Sequence, residues 1–158
     1  MKTLLVVYSY HHMNTEKVAK VFAEVLDAPI KTPQQTDPEE PQEYDLVGFG
    51  AGIDSAKHYK PLLDFADRLP KVNNKNVFIF STAALSSSKK RGKDHSCLRD
   101  KLESKGYVIV DEFQCKGFNT NSFMKYFGGM NRGRPNAKDL KNAEEFAQKL
   151  KQKLSNEG

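Results

Sequence analysis

Three stretches of the chain are dominated by apolar residues in succession, without the polar residue at every second position that a half-exposed strand shows. They are residues 4–8, 44–49 and 76–81. Continuous runs of this length are typical of strands buried on both faces, as in a parallel sheet. Residues 107–115 and a weaker stretch at 29–31 predict two more strands, which makes five.

Between these runs, apolar residues recur at helical spacing. The first predicted helix begins near Asn14 or Thr15, either of which suits an N-cap, and ends near residues 27–29. Its N-terminus follows a buried strand through a short polar loop, an arrangement that presents free N–H groups to an anion. Three further helices are predicted, at residues 59–68, 94–105 and 137–154.

The predicted order is β-α-β-β-α-β-α-β-α, an alternating α/β pattern. It indicates a parallel sheet with helices on both faces. Five strands at this spacing fit a doubly wound three-layer sandwich with strand order 2-1-3-4-5. With 158 residues, we expect one domain spanning 1–158. Residues 32–43 read as a surface connection, and residues 116–136 as a long irregular excursion of the kind that is often functional.

Composition narrows the class of protein. No apolar stretch reaches the ~20 residues of a membrane span, and the N-terminus lacks a signal-peptide pattern, so we expect a cytoplasmic protein without membrane association. The two cysteines, Cys97 and Cys115, do not form a CxxC motif and are expected to be reduced.

The net charge of +5 permits an acidic partner or nucleic acid, and we expect a protein partner and no nucleic acid. The clearest basic cluster, Lys89, Lys90, Arg91 and Lys93, reads as an exposed loop that is either simply solvated or docks an anion or a partner. We expect a monomer or a weak dimer.

In a doubly wound sheet, ligands bind beyond the carboxyl ends of the strands. The predicted order brings three loops together there, at residues 9–14, 50–57 and 82–92. All three are rich in small and polar residues, which allow close approach of the backbone to a ligand. Their convergence predicts a ligand site.

Other motifs give weaker signals. The sequence has no P-loop, and the glycines of residues 48–52 follow the wrong strand for a dinucleotide fingerprint. His11 and His12 lack further ligands at metal-site spacing, so contact with an anion or the helix end is the better interpretation. Cys97 has no assured base, because His95 would point elsewhere on a helix.

Residues 6–19 resemble the phosphate loop of flavodoxins, which commonly reads S/T-x-T-G-x-T. Aligned on Thr15, this chain has Tyr10, His12 and Met13 where Ser/Thr, Thr and Gly are usual. Tyr, His and Asn side chains can also donate hydrogen bonds to a phosphate. Residues 50–53, 80–83, 113–118 and 128–136 are similar to segments of small bacterial and archaeal members of that family.

The resemblance implies a flavodoxin-like fold and an FMN cofactor. The phosphate would lie on N–H groups of residues 11–15, and the flavin ring between the second and third loops. Ile53, Tyr59, Leu85 or Phe118 would stack on the ring, although Tyr59 equally suits packing within its helix. The implied cofactor-binding residues are Ser9, Tyr10, His11, His12, Met13, Asn14, Thr15, Gly50, Ala51, Gly52, Ile53, Thr82, Ala83, Ala84 and Leu85.

Three functions follow from these interpretations. The first is a flavodoxin that carries electrons between redox partners, one of which would be acidic because this chain is basic. The second is an FMN-dependent NAD(P)H quinone reductase-like enzyme, with the excursion lining a substrate pocket. The third is a flavodoxin-fold binding module that has lost FMN, which the atypical phosphate loop favours. No residue is assigned a catalytic role.

Overall fold

The computed structural model describes residues 1–9, 14–84, 86–117 and 133–157. Its strands are β1 (Thr3–Tyr8), β2 (Ile30–Lys31), β3 (Leu46–Asp54), β4 (Lys57–His58), β5 (Lys75–Ala83) and β6 (Tyr107–Lys116). Its helices are α1 (Asn14–Leu26), α2 (Lys60–Arg68), α3 (Ser88–Ser104) and α4 (Ala137–Glu157). The alternating order predicted from the sequence is confirmed.

Five of the strands form a parallel sheet in the order β2-β1-β3-β5-β6, which corresponds to the predicted order 2-1-3-4-5. The short β4 was not predicted. It pairs antiparallel with the end of β3, where His58 lies opposite Ile53. The hairpin turn is Ser55 and Ala56, both with positive φ (54° and 60°). The chain therefore reverses direction at the carboxyl end of β3. β3 is also longer than β1.

Alternate residues of the strands enter two separate cores, as parallel strands covered on both faces require. Along β1, Leu4 and Val6 face one core and Leu5 and Val7 face the other. The first core lies against α2 and α3, and the second lies against α1 and α4. We call these layers the α2/α3 layer and the α1/α4 layer.

The α1/α4 layer is centred on Phe22 of α1, which is fully buried. Its ring makes edge contacts with three aromatic rings of the sheet, at centroid distances of 5.7, 4.9 and 5.6 Å to Phe78, Phe80 and Phe113. Phe146 of α4 closes the cluster at 5.6 Å. Edge-to-face geometry of this kind adds to the free energy gained from burial alone.

Three predicted boundaries were wrong, each because a small or polar residue was read as loop. β3 continues through residues 50–54, and β5 continues through Thr82 and Ala83. α3 begins at Ser88 rather than near Asp94, because the Ser87 hydroxyl accepts the N–H of Lys90 as an N-cap. The basic cluster of residues 89–93 is therefore helical and not a loop.

Two long connections were predicted, and the structure describes all of the first and only the two ends of the second. Residues 32–43, predicted as a surface connection, hold two short 3₁₀ helices, Pro33–Gln35 and Glu40–Glu43, the first closed by a capping box between Thr32 and Gln35. Most of the predicted excursion, residues 118–132, lies outside the described residues. After it, Arg134 and the backbone N–H of Asn136 bond to Asp139, which fixes the start of α4.

Candidate functional site

The junction of β1 and α1 carries the first group of predicted site residues. Ser9 follows β1, and its Oγ accepts a hydrogen bond from the N–H of Glu16 in the first turn of α1, at 3.2 Å. Asn14 and Thr15 are buried at the start of the same helix. Tyr10, His11, His12 and Met13, the residues that depart most from the flavodoxin pattern, lie outside the described residues.

A hydrogen bond between hydroxyl groups joins the start of α1 to the end of β5. Thr15 Oγ1 lies 2.8 Å from Thr82 Oγ1, across 67 positions of sequence, and both side chains are buried. Such a pair has two O–H donors and uses one of them internally, so the second is left for another acceptor. The carboxyl end of β5 and the N-terminus of α1 therefore present hydroxyl groups at one place.

The predicted loop at residues 50–57 is instead strand and hairpin. Gly50, Ala51 and Gly52 are buried within β3, and Ile53 is half-buried near its end. A Cβ on Gly50 would lie 2.2 Å from the Phe80 ring, and one on Gly52 would lie 2.7 Å from the Tyr59 ring. These glycines therefore make room for the aromatic rings of Phe80 and Tyr59.

Tyr59 packs within the protein, consistent with one of the two roles considered for it. Its ring meets Tyr8 edge-on, with centroids 6.1 Å apart, and covers Gly52. Of the other stacking candidates, Ile53 is half-buried near the end of β3, whereas Leu85 and Phe118 lie outside the described residues.

The predicted loop at residues 82–92 shrinks to four residues, 84–87. Thr82 and Ala83 end β5, Ala84 is half-buried, and α3 follows at Ser88. The Ala83 carbonyl accepts the N–H of Gly117 at 3.0 Å, so the ends of β5 and β6 are joined just beyond the sheet. A Cβ on Gly117 would lie 2.8 Å from the Asn14 side chain, which brings this junction against α1.

A cavity of about 410 Å³ opens beside the start of α1. Its walls come from the end of β1, the first turn of α1 and the connection after β2, and they include Ser9, Glu16, Thr32 and Gln35. Sequence reasoning did not place residues 30–35 at the site. A second cavity of about 310 Å³ lies between the β3–β4 hairpin, α2 and α3.

A buried polar network on the other face of β5 was also missed. Ser81 Oγ lies 2.7 Å from His95 Nε2, and His95 Nδ1 lies 2.8 Å from Glu112 Oε1. Arg99 holds the same carboxylate through two N–H groups, at 2.6 and 3.1 Å. Ser81 and His95 are both fully buried. The prediction that His95 does not act as a base for Cys97 is confirmed, because its two ring nitrogens bond to Ser81 and Glu112.

Asp94 and Gln114 extend this network toward the protein surface. The Gln114 amide donates to Ser81 Oγ at 3.0 Å and to Asp94 Oδ2 at 2.9 Å. Asp94 is fully buried, and both of its carboxylate oxygens accept hydrogen bonds from Lys90 Nζ, each at 2.6 Å. Asp94, His95 and Glu112 are separated from Ser81 by 13 to 31 positions, so only the fold reveals their proximity.

The ionisable groups of the network have displaced pKa values. Burial and, to a smaller extent, the neighbouring His95 ring, 4.9 Å away, together lower the pKa of His58 to about 3. Burial also lowers the pKa of His95, against the opposing effect of Glu112. Burial alone would raise the pKa of Glu112, but hydrogen bonds from His95 and Arg99 outweigh it and lower the pKa to about 2. At neutral pH, both imidazoles are therefore neutral and Glu112 is a carboxylate.

The described residues contain neither a cluster of metal ligands nor a membrane-spanning helix. In that part of the chain, no three His, Cys, Asp or Glu side chains are placed to hold a metal ion. None of the described helices is long and apolar enough to cross a membrane.

Comparison with known proteins identifies the family. A model of the flavodoxin domain matches residues 5–152. The chain belongs to the flavodoxin domain family. A relative that is 46% identical over 150 residues, 95% of this chain and 98% of its own length, is an uncharacterized protein of Methanocaldococcus jannaschii.

Solved flavodoxins share the fold of this flavodoxin-domain chain at low sequence identity. Flavodoxin 2 of Bacillus cereus has a TM-score of 0.72 at 16% identity, covering 97% of this chain and 99% of that one. A flavodoxin from the domain Archaea has a TM-score of 0.68 at 13% identity, covering 98% and 99%. Both confirm the predicted flavodoxin-like α/β fold.

Proposed function

We propose that this protein binds FMN at the carboxyl end of its sheet and carries electrons between redox partners. The observation that carries the proposal is the contact between Thr15 Oγ1 and Thr82 Oγ1. It joins the first turn of α1 to the end of β5, two of the three segments in which the family resemblance implies cofactor contacts.

The described donors at this place fit a phosphate group. Hydroxyls of Ser9, Thr15 and Thr82 gather around the N-terminus of α1, where the helix dipole favours negative charge. The nearest carboxylate in the first turn, Glu16, lies 3.5 Å from Lys20 Nζ, which offsets its charge. Residues 10–13 would complete the phosphate loop.

The remaining roles follow the same placement. Bound FMN supplies reversible uptake of one or two electrons, and the protein holds and tunes it. Gly50, Ala51, Gly52 and Ile53, at the end of β3, and Thr82, Ala83, Ala84 and Leu85, at and beyond the end of β5, would flank the flavin ring. Because several of these residues are strand rather than loop, the ring would meet relatively rigid backbone.

We also propose that the redox partner is acidic. Lys89, Arg91 and Lys93 lie in the first two turns of α3, just beyond the end of β5. Of the basic cluster, Lys90 is paired with Asp94, whereas no ion pair within the described residues includes the other three. Basic side chains also gain nothing from the dipole at a helix N-terminus, so a role in docking explains their position better than stability does.

FMN titration of the apoprotein, followed by flavin fluorescence and visible absorbance, tests the cofactor assignment. We expect a bound flavin spectrum in the wild type. The double variant Thr15→Val, Thr82→Val keeps side-chain shape but removes both hydroxyls, and it should weaken FMN binding by at least about tenfold, the loss of one or two hydrogen bonds to a charged group.

Thr3→Val is the matched control for that titration. Thr3 is a buried threonine of β1 at the opposite end of the sheet, and its hydroxyl has no partner in the described structure. This variant should bind FMN as the wild type does. Unchanged affinity in the double variant would remove Thr15 and Thr82 from the site, and a wild type that binds no FMN would favour the binding-module alternative.

A further inference from the structure

A directional chain of hydrogen bonds runs through the α2/α3 layer at the carboxyl end of β5. It passes from Gln114 to Ser81, from Ser81 to His95, and from His95 to Glu112. Ser81 immediately precedes Thr82, whose hydroxyl belongs to the candidate phosphate site. Adjacent residues of a strand point to opposite faces, so the two hydroxyls share one backbone segment.

The proton positions in this chain follow from its ends. Glu112 is a carboxylate and can only accept, so His95 Nδ1 must carry a proton and donate it. Because the imidazole is neutral, Nε2 is then an acceptor, and the Ser81 hydroxyl donates to it at 2.7 Å. Ser81 Oγ in turn accepts from the Gln114 amide. Every hydrogen bond in the chain therefore has an assigned direction.

This order, hydroxyl to imidazole to carboxylate, is the one that activates a serine nucleophile. Ser81 is fully buried, however, and Gln114 occupies a lone pair of its oxygen, so no substrate can reach it. The group in this chain that can change its protonation state is the imidazole of His95, which can take up a second proton at Nε2.

The charges that face the neutral His95 sum to a small net positive charge. From β6 it faces Glu112, and from its own helix it faces Arg99, Arg91 and the paired Asp94 and Lys90. From β4 it faces the neutral ring of His58, and from β5 it faces Ser81. A cation added at His95 therefore needs a new negative charge nearby, because unlike charges in a protein interior interact over several ångströms.

We propose that Ser81, His95 and Glu112 form a proton-holding site coupled to the cofactor site, in which His95 gains a proton at Nε2 when the bound flavin is reduced. The proposal rests on the proposed function. The electrons come from the external reductant and the proton from solvent. One N–H bond forms, and the Ser81 hydroxyl turns from donor to acceptor toward His95.

The test is an imidazole nitrogen NMR spectrum of FMN-loaded protein labelled with ¹⁵N-histidine. The chain has four histidines, and the His95 signals are assigned by their loss in His95→Gln. At neutral pH, we expect the Nδ1–H tautomer in the oxidised protein and a doubly protonated ring after reduction with dithionite. A pH titration of both states should show at least about a tenfold higher proton affinity of His95 after reduction.

Two neighbouring residues of β6 supply the variant and its control. Glu112→Gln removes the carboxylate that stabilises the imidazolium, so His95 should stay neutral on reduction. Asp111→Asn removes one negative charge at the next position of the strand, where the exposed side chain accepts the N–H of Glu112. It should leave the response of His95 unchanged.

The possible outcomes separate this inference from the proposed function. A wild type that binds FMN but keeps the same neutral His95 tautomer in both redox states overturns the proton-holding site alone. A wild type that binds no FMN overturns both proposals. If Glu112→Gln does not fold, the two wild-type spectra still decide the question.

Discussion

The two helical layers bury their faces of the sheet with different chemistry. The α1/α4 layer is held by aromatic rings around Phe22, and its buried polar residues, Asn14, Thr15 and Asp139, lie in the first turns of its two helices. At the carboxyl end of the sheet, the α2/α3 layer buries Ser81, Asp94, His95 and His58 among its apolar residues. Burial of polar groups stabilises a fold less than apolar packing does. The difference therefore indicates that the aromatic centre of the α1/α4 layer serves stability, whereas the α2/α3 layer gives up apolar packing for a polar network at the carboxyl end of β5.

The largest effect should come from the aromatic centre of the α1/α4 layer. Phe22→Ala is expected to lower the free energy of unfolding by about 3–5 kcal/mol, because it leaves a cavity among Phe78, Phe80, Phe113 and Phe146. Urea unfolding followed by circular dichroism measures it, with Phe22→Leu as a milder control. A loss below about 1 kcal/mol would show that this layer is not the main source of stability.

The second largest effect should be a loss of stability at acid pH that arises in the α2/α3 layer. His58 has a folded pKa of about 3, well below the ordinary unfolded value, so between those values the unfolded chain binds a proton that the folded protein does not. Stability is then fully present above pH ~6.5 and is lost as the pH falls toward 3. From pH 7 to pH 5, His58 alone should lower the free energy of unfolding by about 2 kcal/mol.

His95, whose pKa is also lowered, adds to this loss in the same direction. Urea unfolding at several pH values measures the slope. His58→Gln retains an amide that can donate to the Phe80 carbonyl, as His58 Nε2 does at 3.0 Å, but it does not titrate. It should flatten the slope markedly, and equal slopes in variant and wild type would assign the acid sensitivity elsewhere.

The smallest effect concerns the hairpin that carries His58. Ala56 has a φ of 60°, a left-handed conformation that costs energy for a residue with a Cβ. Ala56→Gly should raise the free energy of unfolding by at most about 1 kcal/mol, because the greater freedom of glycine in the unfolded chain offsets part of the gain. Thermal unfolding measures it, and a lower midpoint would contradict the strain at this position.

The helices and strands were predictable because the spacing of apolar residues shows which positions are buried. The sheet order followed from the alternation of strands and helices along the chain. It did not predict the full length of β3, since Gly50 and Gly52 have low strand propensity and are stabilised there by the rings of Phe80 and Tyr59. Likewise, the polar start of α3 shows little amphipathic pattern and depends on the Ser87 cap.

The candidate site was predictable only in part. Ser9 and Thr82 were named from loops at the ends of predicted strands and Thr15 from the resemblance to flavodoxins, and the fold brings Thr15 and Thr82 into contact. Ser81, His95 and Glu112 were not predicted to form a site, because each taken alone is an ordinary strand or helix residue. Their relation arises from the neighbouring positions of β5, α3 and β6, which only the packed structure supplies.

The alternation of Ser81 and Thr82 on β5 has a consequence for how this protein tolerates change. The two hydroxyls lie on opposite faces of the sheet, where Ser81 bonds to His95 and Thr82 bonds to Thr15. A deletion or insertion of one residue within β5 would exchange their faces, so that neither hydroxyl could meet its present partner. We therefore expect length variation in the connections outside the sheet rather than in this strand.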